Sequence, residues 1–199
     1  MKPASVLLFD LGGVLVEISA FDSLRSMPNE TPDDDTLKER WLTSSAVRAF
    51  ELGQVGPEEF AARFLEEWPV SLTPRAFLAE FSSWVRAPYP GAEELLAELR
   101  GSYHVGCLSN CNTVHWAQLG SLLGCFDFTF SSHLLGHIKP DREVFAAVID
   151  HLDVEAEMVC FFDDSAANVV AARSFGMQAY LVKGLPELRK LLECEGKLA

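Results

Sequence analysis

The sequence lacks the patterns that would indicate a metal–thiolate site or a secreted protein. It has five cysteines and no Cys-x-x-Cys pair, and the odd number does not suit a disulfide framework. No apolar stretch is long enough to span a bilayer, and the first residues do not follow the pattern of a secretory signal peptide. We therefore expect a cytoplasmic protein with reduced cysteines, no zinc site and no membrane partner.

Basic residues are also scarce. The chain has 16 Lys and Arg residues against 29 Asp and Glu residues, so its formal net charge is −13. Such a surface repels the phosphate backbone of nucleic acids, and we expect no nucleic-acid partner. A small phosphorylated molecule would have to be held by a local site. The sequence leaves open whether the protein is a monomer or a homodimer.

Short apolar runs of the kind that form buried strands occur at the start of the chain and throughout its second half. Helical segments separate the later runs, and this alternation predicts a parallel sheet that helices cover on both faces. The predicted strands are residues 5–9, 103–108, 126–131, 158–162 and 178–182. The predicted fold is a doubly wound, Rossmann-like α/β core.

Strand-like runs are missing between these two regions. Residues 36–52, 57–68 and 73–85 have the pattern of amphipathic helices, and Pro57 and Pro74 lie where a first-turn proline is tolerated. We therefore expect two units, with a catalytic core formed by residues 1–16 and 89–199. Residues 17–88 would form a helical cap inserted into that core.

Polar residues follow three of the predicted strands. Asp10 comes after the first strand, Ser109 and Asn110 after the second, and Asp163 and Asp164 after the fourth. In an open parallel sheet, ligands bind outside the carboxyl ends of the strands, so these residues are expected to meet at one edge. Each of them alone would suit a turn or a helix cap. Their combination favours a chemical site.

The residue types in this set suit phosphoryl transfer. A carboxylate such as Asp10 can attack phosphorus and hold the group covalently. Clustered acids need a cation, and hard oxygen ligands suit Mg²⁺. Lys139, in a loop after another strand, would add fixed positive charge against the phosphate. Gly12 and Gly13 would let the backbone bend close to the ligand.

Four segments give the sequence a strong resemblance to the haloacid dehalogenase-like hydrolase superfamily. They are Phe9-Asp10-Leu11-Gly12-Gly13, Leu108-Ser109-Asn110, Lys139-Pro140 and Phe162-Asp163-Asp164-Ser165. The resemblance covers essentially the whole chain and includes the branch that carries a helical cap. Within that branch, residues 45–53 and 58–60 are similar to the cap of bacterial sugar-phosphate phosphatases, such as α-glucose-1-phosphate phosphatase. The resemblance implies a Mg²⁺-dependent phosphatase that acts on a small phosphorylated metabolite.

The resemblance also implies the metal ligands. Asp10 would be both the nucleophile and a ligand, and Asp164 would bind Mg²⁺ directly. Asp163 would lie beside Asp164 or act through water. The backbone carbonyl of Gly12 would be a further ligand. In the same way, Ser109 and Asn110 are expected to hold the phosphate, and Lys139 to bridge the phosphate and Asp10.

The sequence departs from the family pattern at Gly12. Most phosphatases of the family have an aspartate at this position, two residues after the nucleophile, which protonates the leaving group and later activates water. Glycine has no side chain to transfer a proton, and general acid–base groups contribute on the order of 10²–10⁴-fold to a rate. Glu17, His115 and His137 are candidates to replace it, because each follows a motif residue in the chain.

The glycine leaves two other functions open. Dehalogenases of the family also lack this aspartate, so a metal-independent 2-haloacid dehalogenase that uses Asp10 is one alternative. The pair of Asp163 and Asp164 argues against it, because a dehalogenase needs no metal. A catalytically weak phosphate-binding homologue is the other alternative.

Overall fold

A computed structural model describes residues 4–26, 33–68 and 70–198 of the chain. The described strands are β1 (Val6–Phe9), β2 (Val16–Ile18), β3 (Val85–Pro88), β4 (His104–Ser109), β5 (Phe128–Ser131), β6 (Val159–Asp163) and β7 (Gln178–Leu181). Five of them form a parallel sheet in the order β5-β4-β1-β6-β7. The predicted α/β fold is confirmed.

The register of the central strands aligns their carboxyl ends. Phe9, the last residue of β1, pairs with Cys107 on one side and with Phe162 on the other. The residues that follow in β1, β4 and β6 therefore reach the same edge of the sheet. This edge lies beside β1, where the strand order changes direction, which is the usual place for a ligand in an open parallel sheet.

Helices cover both faces of the sheet. The described helices are α1 (Ala20–Ser26), α2 (Asp34–Thr43), α3 (Ser45–Glu51), α4 (Pro57–Glu67), α5 (Pro74–Ser82), α6 (Ala92–Leu99), α7 (Thr113–Trp116), α8 (Ser132–Leu135), α9 (Arg142–Leu152), α10 (Ala166–Phe175) and α11 (Gly184–Cys194). Leu7 and Phe9 pack with α6 and α11, whereas Val6 and Leu8 pack with α9 and α10. Because side chains alternate along a strand, apolar residues at every position of β1 serve both faces.

Helices α1 to α5 have a separate apolar core that is rich in aromatic rings. Phe60 stacks on Phe50 at a centroid distance of 4.3 Å, and Phe64 stacks on Phe77 at 4.5 Å. Strands β2 and β3 pair antiparallel and connect these helices to the sheet. We propose that this two-stranded ribbon is the junction between a core of residues 1–16 and 89–199 and a helical cap of residues 17–88.

The helix predicted over residues 36–52 is wrong as a single element, because the chain breaks at Ser44. Ser44 has an extended backbone, with φ −65° and ψ 122°, and its side chain accepts a hydrogen bond from Val47 N. A serine in this position caps the next helix instead of continuing the previous one. Within the described residues, no helix has the length and apolar character needed to cross a membrane.

Candidate active site

Asp10 follows the last residue of β1 and lies at the floor of a cavity of about 450 Å³. Its backbone N–H donates to the carbonyl of Phe162 at 2.8 Å, which fixes the chain as it leaves the sheet. Burial raises the pKa of Asp10 to about 7; Lys139 opposes this rise, and the nearby Asp163 and Asp164 add to it. A cation beside this carboxyl group would favour its charged form.

Lys139 is the buried cation of the site. Its side chain is 1% exposed, and Nζ donates to Asp10 Oδ1 at 2.9 Å, to Asp163 Oδ2 at 2.7 Å and to the carbonyl of Leu108 at 2.8 Å. These bonds use all three ammonium protons. Burial alone would lower the pKa of Lys139, but the two carboxylates outweigh it and raise the pKa. The lysine is therefore held as a charged group against Asp10.

Asp163 is fully engaged in hydrogen bonds within the protein. Oδ1 accepts from Ser165 N at 2.8 Å and from Asn168 Nδ2 at 3.0 Å, and Oδ2 accepts from Lys139 at 2.7 Å. Asp163 is 0% exposed. Direct binding of a metal would require it to give up some of these bonds. The geometry suits Asp163 as the group that holds Lys139 in place, and as a metal ligand only through water.

Asp164 differs from its neighbour because it lines the cavity and is only partly buried. Burial and the charge of Asp163 raise the pKa of its carboxyl group. One oxygen each of Asp10, Asp163 and Asp164 lies within 4.8 Å of the others. These three carboxylates outnumber the two lysines that act on them, Lys139 and Lys183, and the excess negative charge is one that a hard divalent cation would neutralise.

Two further oxygen atoms at this place are free to bind a cation. No hydrogen bond from residues 4–26, 33–68 or 70–198 reaches Oδ2 of Asp10 or the carbonyl oxygen of Gly12, and both residues line the cavity. Together with Asp164 they make an all-oxygen donor set of the type that Mg²⁺ prefers. The residues present therefore fit Mg²⁺.

Gly13 makes room for Asp164. Its φ of +73° lies in the left-handed region that glycine adopts readily. A Cβ atom built on Gly13 would lie 2.6 Å from Asp164 Oδ2, closer than real atoms approach. The carbonyl of Gly13 also accepts a hydrogen bond from Gly184 N at 2.7 Å, which fixes the loop.

The predicted phosphate-binding pair divides into two roles. Ser109 is 6% exposed and lines the cavity, and in the part of the chain that the structure describes its hydroxyl has no partner. The side chain of Asn110 instead bonds the backbone of Lys139, with Nδ2 donating to the carbonyl and Oδ1 accepting from N, both at 2.9 Å. Asn110 therefore positions the lysine loop, and only its backbone N–H remains available to a phosphate.

The position of the missing aspartate is covered by an apolar side chain. A Cβ atom built on Gly12 would lie 3.4 Å from Cδ1 of Ile18. Two of the suggested replacements, Glu17 and His137, are exposed, and neither is among the described residues that line the cavity. The structure does not bring these two residues to the site.

His115 does line the cavity, but both ring nitrogens have partners. Nε2 donates to the carbonyl of Phe81 at 2.7 Å, so Nδ1 is the acceptor for the Asn112 amide at 3.2 Å. The ring stacks on Phe81 at 4.0 Å, and burial lowers its pKa. A neutral imidazole with both nitrogens bonded is a poor proton donor to a substrate.

Glu51 is a site residue that the sequence did not single out. It is the last residue of α3 and lines the same cavity as Asp10 and Lys139. Burial raises the pKa of Glu51 to about 7; Lys139 and Arg48 oppose this rise, and Asp10 adds to it. Glu51 lies within residues 45–53, the segment that is similar to the cap of sugar-phosphate phosphatases, but apolar periodicity does not distinguish it from the other acids of the helical region.

The remainder of the cavity is mostly apolar. We call this surface the apolar wall. It is formed by Ile18 of β2, Phe21 of α1, Trp41 of α2, Val85 of β3 and Trp84, which lies between α5 and β3. A charged floor with an apolar wall is the usual arrangement of a small-molecule site, in which a few polar groups fix one end of the ligand.

Comparison with known proteins identifies the family of this chain. A model of the haloacid dehalogenase-like hydrolase family matches residues 4–176. A D-ribitol-5-phosphate phosphatase of Bacteroides thetaiotaomicron is 26% identical over 87% of this chain and 89% of its own length. A sesquiterpene phosphatase of Aspergillus oryzae is 28% identical over 94% of this chain and 96% of its own.

Solved structures show the same fold. A haloacid dehalogenase family enzyme of Bacteroides thetaiotaomicron, in complex with magnesium and inorganic phosphate, superposes with a TM-score of 0.74 at 24% identity. The match covers 90% of this chain and 94% of that one. An L-2-haloacid dehalogenase superposes with a TM-score of 0.64 at 22% identity, covering 90% of this chain and 85% of that one. At these identities the likeness establishes the fold and does not separate the two activities.

Proposed function

The chain belongs to the haloacid dehalogenase-like hydrolase family, and from this premise we propose that it is a Mg²⁺-dependent phosphomonoester hydrolase. Asp10 would act through a phospho-aspartyl intermediate. The observation that carries the proposal is the arrangement of Asp10 between a buried, charged Lys139 and the partly exposed Asp164.

The two oxygens of Asp10 have separate environments. Oδ1 is held by Lys139, whereas Oδ2 is free and the residue lines the cavity. Oδ1, which accepts one hydrogen bond and keeps a lone pair, would attack phosphorus and leave Oδ2 for the metal, and the bond from phosphorus to the leaving oxygen would break. Ser109 and the backbone N–H of Asn110 would donate to the other phosphate oxygens. Attack of water on the phospho-aspartate would then release phosphate and restore Asp10.

The roles at the metal follow the same geometry. Asp10, Asp164 and the carbonyl of Gly12 would hold Mg²⁺, which when bound supplies positive charge against a phosphate oxygen. Asp163 has its oxygens engaged with Lys139, Ser165 and Asn168, so we assign it to positioning the lysine and to contact with the metal through water. The surplus of carboxylates at this edge favours a metal-dependent phosphatase over a metal-independent dehalogenase.

Two of the relatives that align over most of the chain each suggest a substrate class. The names of these relatives refer to a sugar-alcohol phosphate and to a sesquiterpene phosphate. A sugar phosphate remains one candidate. The apolar wall supports a leaving group with an apolar part, because burying hydroxyl groups against Ile18, Trp41 and Trp84 would cost hydrogen bonds.

The test is hydrolysis of an aryl phosphate with Mg²⁺, with EDTA, and by the Asp10→Asn variant. We expect Mg²⁺-dependent turnover and a loss of about 10³-fold or more in the variant, with a phosphoryl group trapped on the wild-type protein by acid quench. Asp150→Asn is the matched control, because Asp150 is exposed on α9. Equal rates under the three conditions would overturn the proposal.

A parallel panel separates the alternatives. Ribitol 5-phosphate, α-glucose 1-phosphate and farnesyl phosphate represent the two substrate classes, and 2-chloropropionate tests dehalogenation. Chloride release without metal would establish a dehalogenase. Mg²⁺-dependent binding of phosphate without turnover of any substrate would indicate a binding protein.

A further inference from the structure

The proposed reaction needs a proton donor for the leaving oxygen. The position two residues after the nucleophile, where the family usually has an aspartate, does not supply one. Gly12 has no side chain, and Ile18 covers the space beside it. His115 has both nitrogens engaged. An alkoxide is a poor leaving group at neutral pH, so a phosphatase for ordinary alcohols requires another proton donor.

Glu51 lies where such a donor would have to be. Of the described residues in helices α1 to α5, it is the one carboxylate that lines the cavity. It enters from the side of the cap, whereas Asp10, Ser109 and Lys139 lie at the end of the sheet. A phosphate held on those residues would have its leaving group on the side of Glu51 and the apolar wall.

Two contacts fix the end of α3 against the core. Arg48, one turn before Glu51, makes an ion pair with Asp141, which follows the Lys139-Pro140 segment. Two residues after Glu51, Gly53 packs so closely on α8 that an added Cβ atom would lie 2.4 Å from the carbonyl oxygen of His133. Glu51 therefore lies between two fixed points and is not on a free helix end.

The charged and titratable groups around Glu51 come from four segments. Asp10 follows β1, Cys111 follows β4, Lys139 follows α8, and Arg48 is on the same helix as Glu51. Burial outweighs the nearby cations and raises the pKa of Glu51 to about 7. Burial therefore makes Glu51 easier to protonate than an exposed glutamate.

We propose that Glu51 is the catalytic residue that replaces the missing aspartate: it protonates the leaving oxygen and then activates the attacking water. This proposal rests on the phosphatase function proposed above. In the first step Asp10 bonds to phosphorus, the bond to the leaving oxygen breaks, and the proton of Glu51 passes to that oxygen to give the alcohol. In the second step the Glu51 carboxylate takes a proton from water as the water oxygen attacks phosphorus. Phosphate and free Asp10 are released, and Glu51 is protonated again.

The experiment compares leaving groups of different basicity in wild type and in Glu51→Gln. Leaving groups that are already stable as anions, such as 2,4-dinitrophenolate, need no proton, whereas simple alkoxides need one. We expect Glu51→Gln to lose about 10²–10⁴-fold in kcat/KM on alkyl phosphates. On 2,4-dinitrophenyl phosphate the loss in the first step, measured as the burst of phenolate, is expected to be less than about tenfold.

Matched variants keep the test decisive. Glu58→Gln changes an exposed acid in the first turn of α4 and should behave as wild type on every substrate. Glu51→Asp keeps the carboxyl group, and its loss should be smaller on alkyl phosphates than that of Glu51→Gln. Thermal unfolding of each variant checks that it is folded.

Two results would have separate meanings. A wild-type protein without phosphatase activity would overturn the proposed function itself. An active wild type whose Glu51→Gln variant loses the same factor on aryl and alkyl phosphates would leave the phosphatase intact and overturn the role of Glu51 in proton transfer.

Discussion

Gly13 shows how a single residue without a side chain determines the position of Asp164, which we propose as a metal ligand. Its backbone is left-handed, and Asp164 occupies the space that a side chain would need. Gly136 has a similar φ, +69° against +73°, but an added Cβ atom there would meet nothing within 4 Å. Comparing the same substitution at the two glycines therefore separates the energetic cost of the left-handed backbone from the effect of displacing Asp164.

Gly13→Ala is expected to weaken Mg²⁺ binding by about tenfold or more, which corresponds to at least about 1.4 kcal/mol. Gly136→Ala should lose stability through the same left-handed strain, about 1–2 kcal/mol, but bind Mg²⁺ as wild type does. Isothermal titration with MgCl₂ measures both affinities. Equal affinities in the two variants would show that Asp164 does not depend on the space at position 13.

Lys139 is expected to matter for stability as well as for activity. Its removal leaves the buried carboxylates of Asp10 and Asp163 facing each other without a counter-charge. Breaking a buried ion pair in this way typically costs about 3–5 kcal/mol, and we expect a loss in this range for Lys139→Met in urea unfolding. Adding Asp163→Asn removes one of the unpaired charges and should restore part of the lost stability. A double variant less stable than the single one would contradict this account.

Among the elements, α3 has a prominent role because it carries Glu51. Ser44 begins this helix: its hydroxyl accepts from Val47 N and donates to the carboxylate of Glu67 on α4. Glu67 also accepts from Ser45 and Ala46. Burial opposes ionisation of Glu67, but these hydrogen bonds outweigh it and lower its pKa. The start of α3 is therefore tied to α4 through one charged group.

Ser44→Ala removes the cap and one of the bonds to Glu67, and we expect a loss of about 1–2 kcal/mol in the free energy of unfolding. Ser102→Ala is the control, because Ser102 is exposed in the turn before β4 and its change should fall within about 0.5 kcal/mol of wild type. Urea titrations followed by circular dichroism give both values. Equal midpoints for the two variants would mean that the cap contributes nothing measurable.

At the level of the whole molecule, a cation can stabilise the protein in two ways, by screening its net negative charge and by binding to the site. The chain has a net charge of −13, so any salt that screens repulsion changes its stability somewhat. A specific ion adds a term of about 2.7 kcal/mol at a concentration one hundred times its Kd. The two effects differ in their dependence on Asp164.

We therefore expect Mg²⁺ to raise the Tm of the wild type well beyond the effect of NaCl at equal ionic strength. In Asp164→Asn the two salts should have the same small effect, because a direct ligand has been lost while the net charge changes by only one unit. Differential scanning calorimetry measures the shift. A Mg²⁺-specific shift of the same size in Asp164→Asn would place the ion elsewhere.

Much of the core and of the proposed site was predictable because its signals are local. Buried strands of a parallel sheet are continuous apolar runs, and the polar residues that follow them, such as Asp10 and Asp163, meet because the strands share a direction. Ser44 carried a local signal too, as a helix cap, but the apolar pattern of residues 36–52 hid it. The order and type of the core elements thus followed from the sequence alone.

Only the tertiary structure determined which of several chemically equivalent residues lines the cavity and which is held inside the protein. Asp163 and Asp164 are chemically identical neighbours, yet one holds Lys139 inside the protein and the other lines the cavity. Glu51 lies in the cavity because contacts far apart in the chain, Arg48 with Asp141 and Gly53 with His133, bring α3 onto the core. Burial and charge environment arise from such long-range packing. The sequence contains the acids, but only the packing of the whole molecule determines which of them line the cavity.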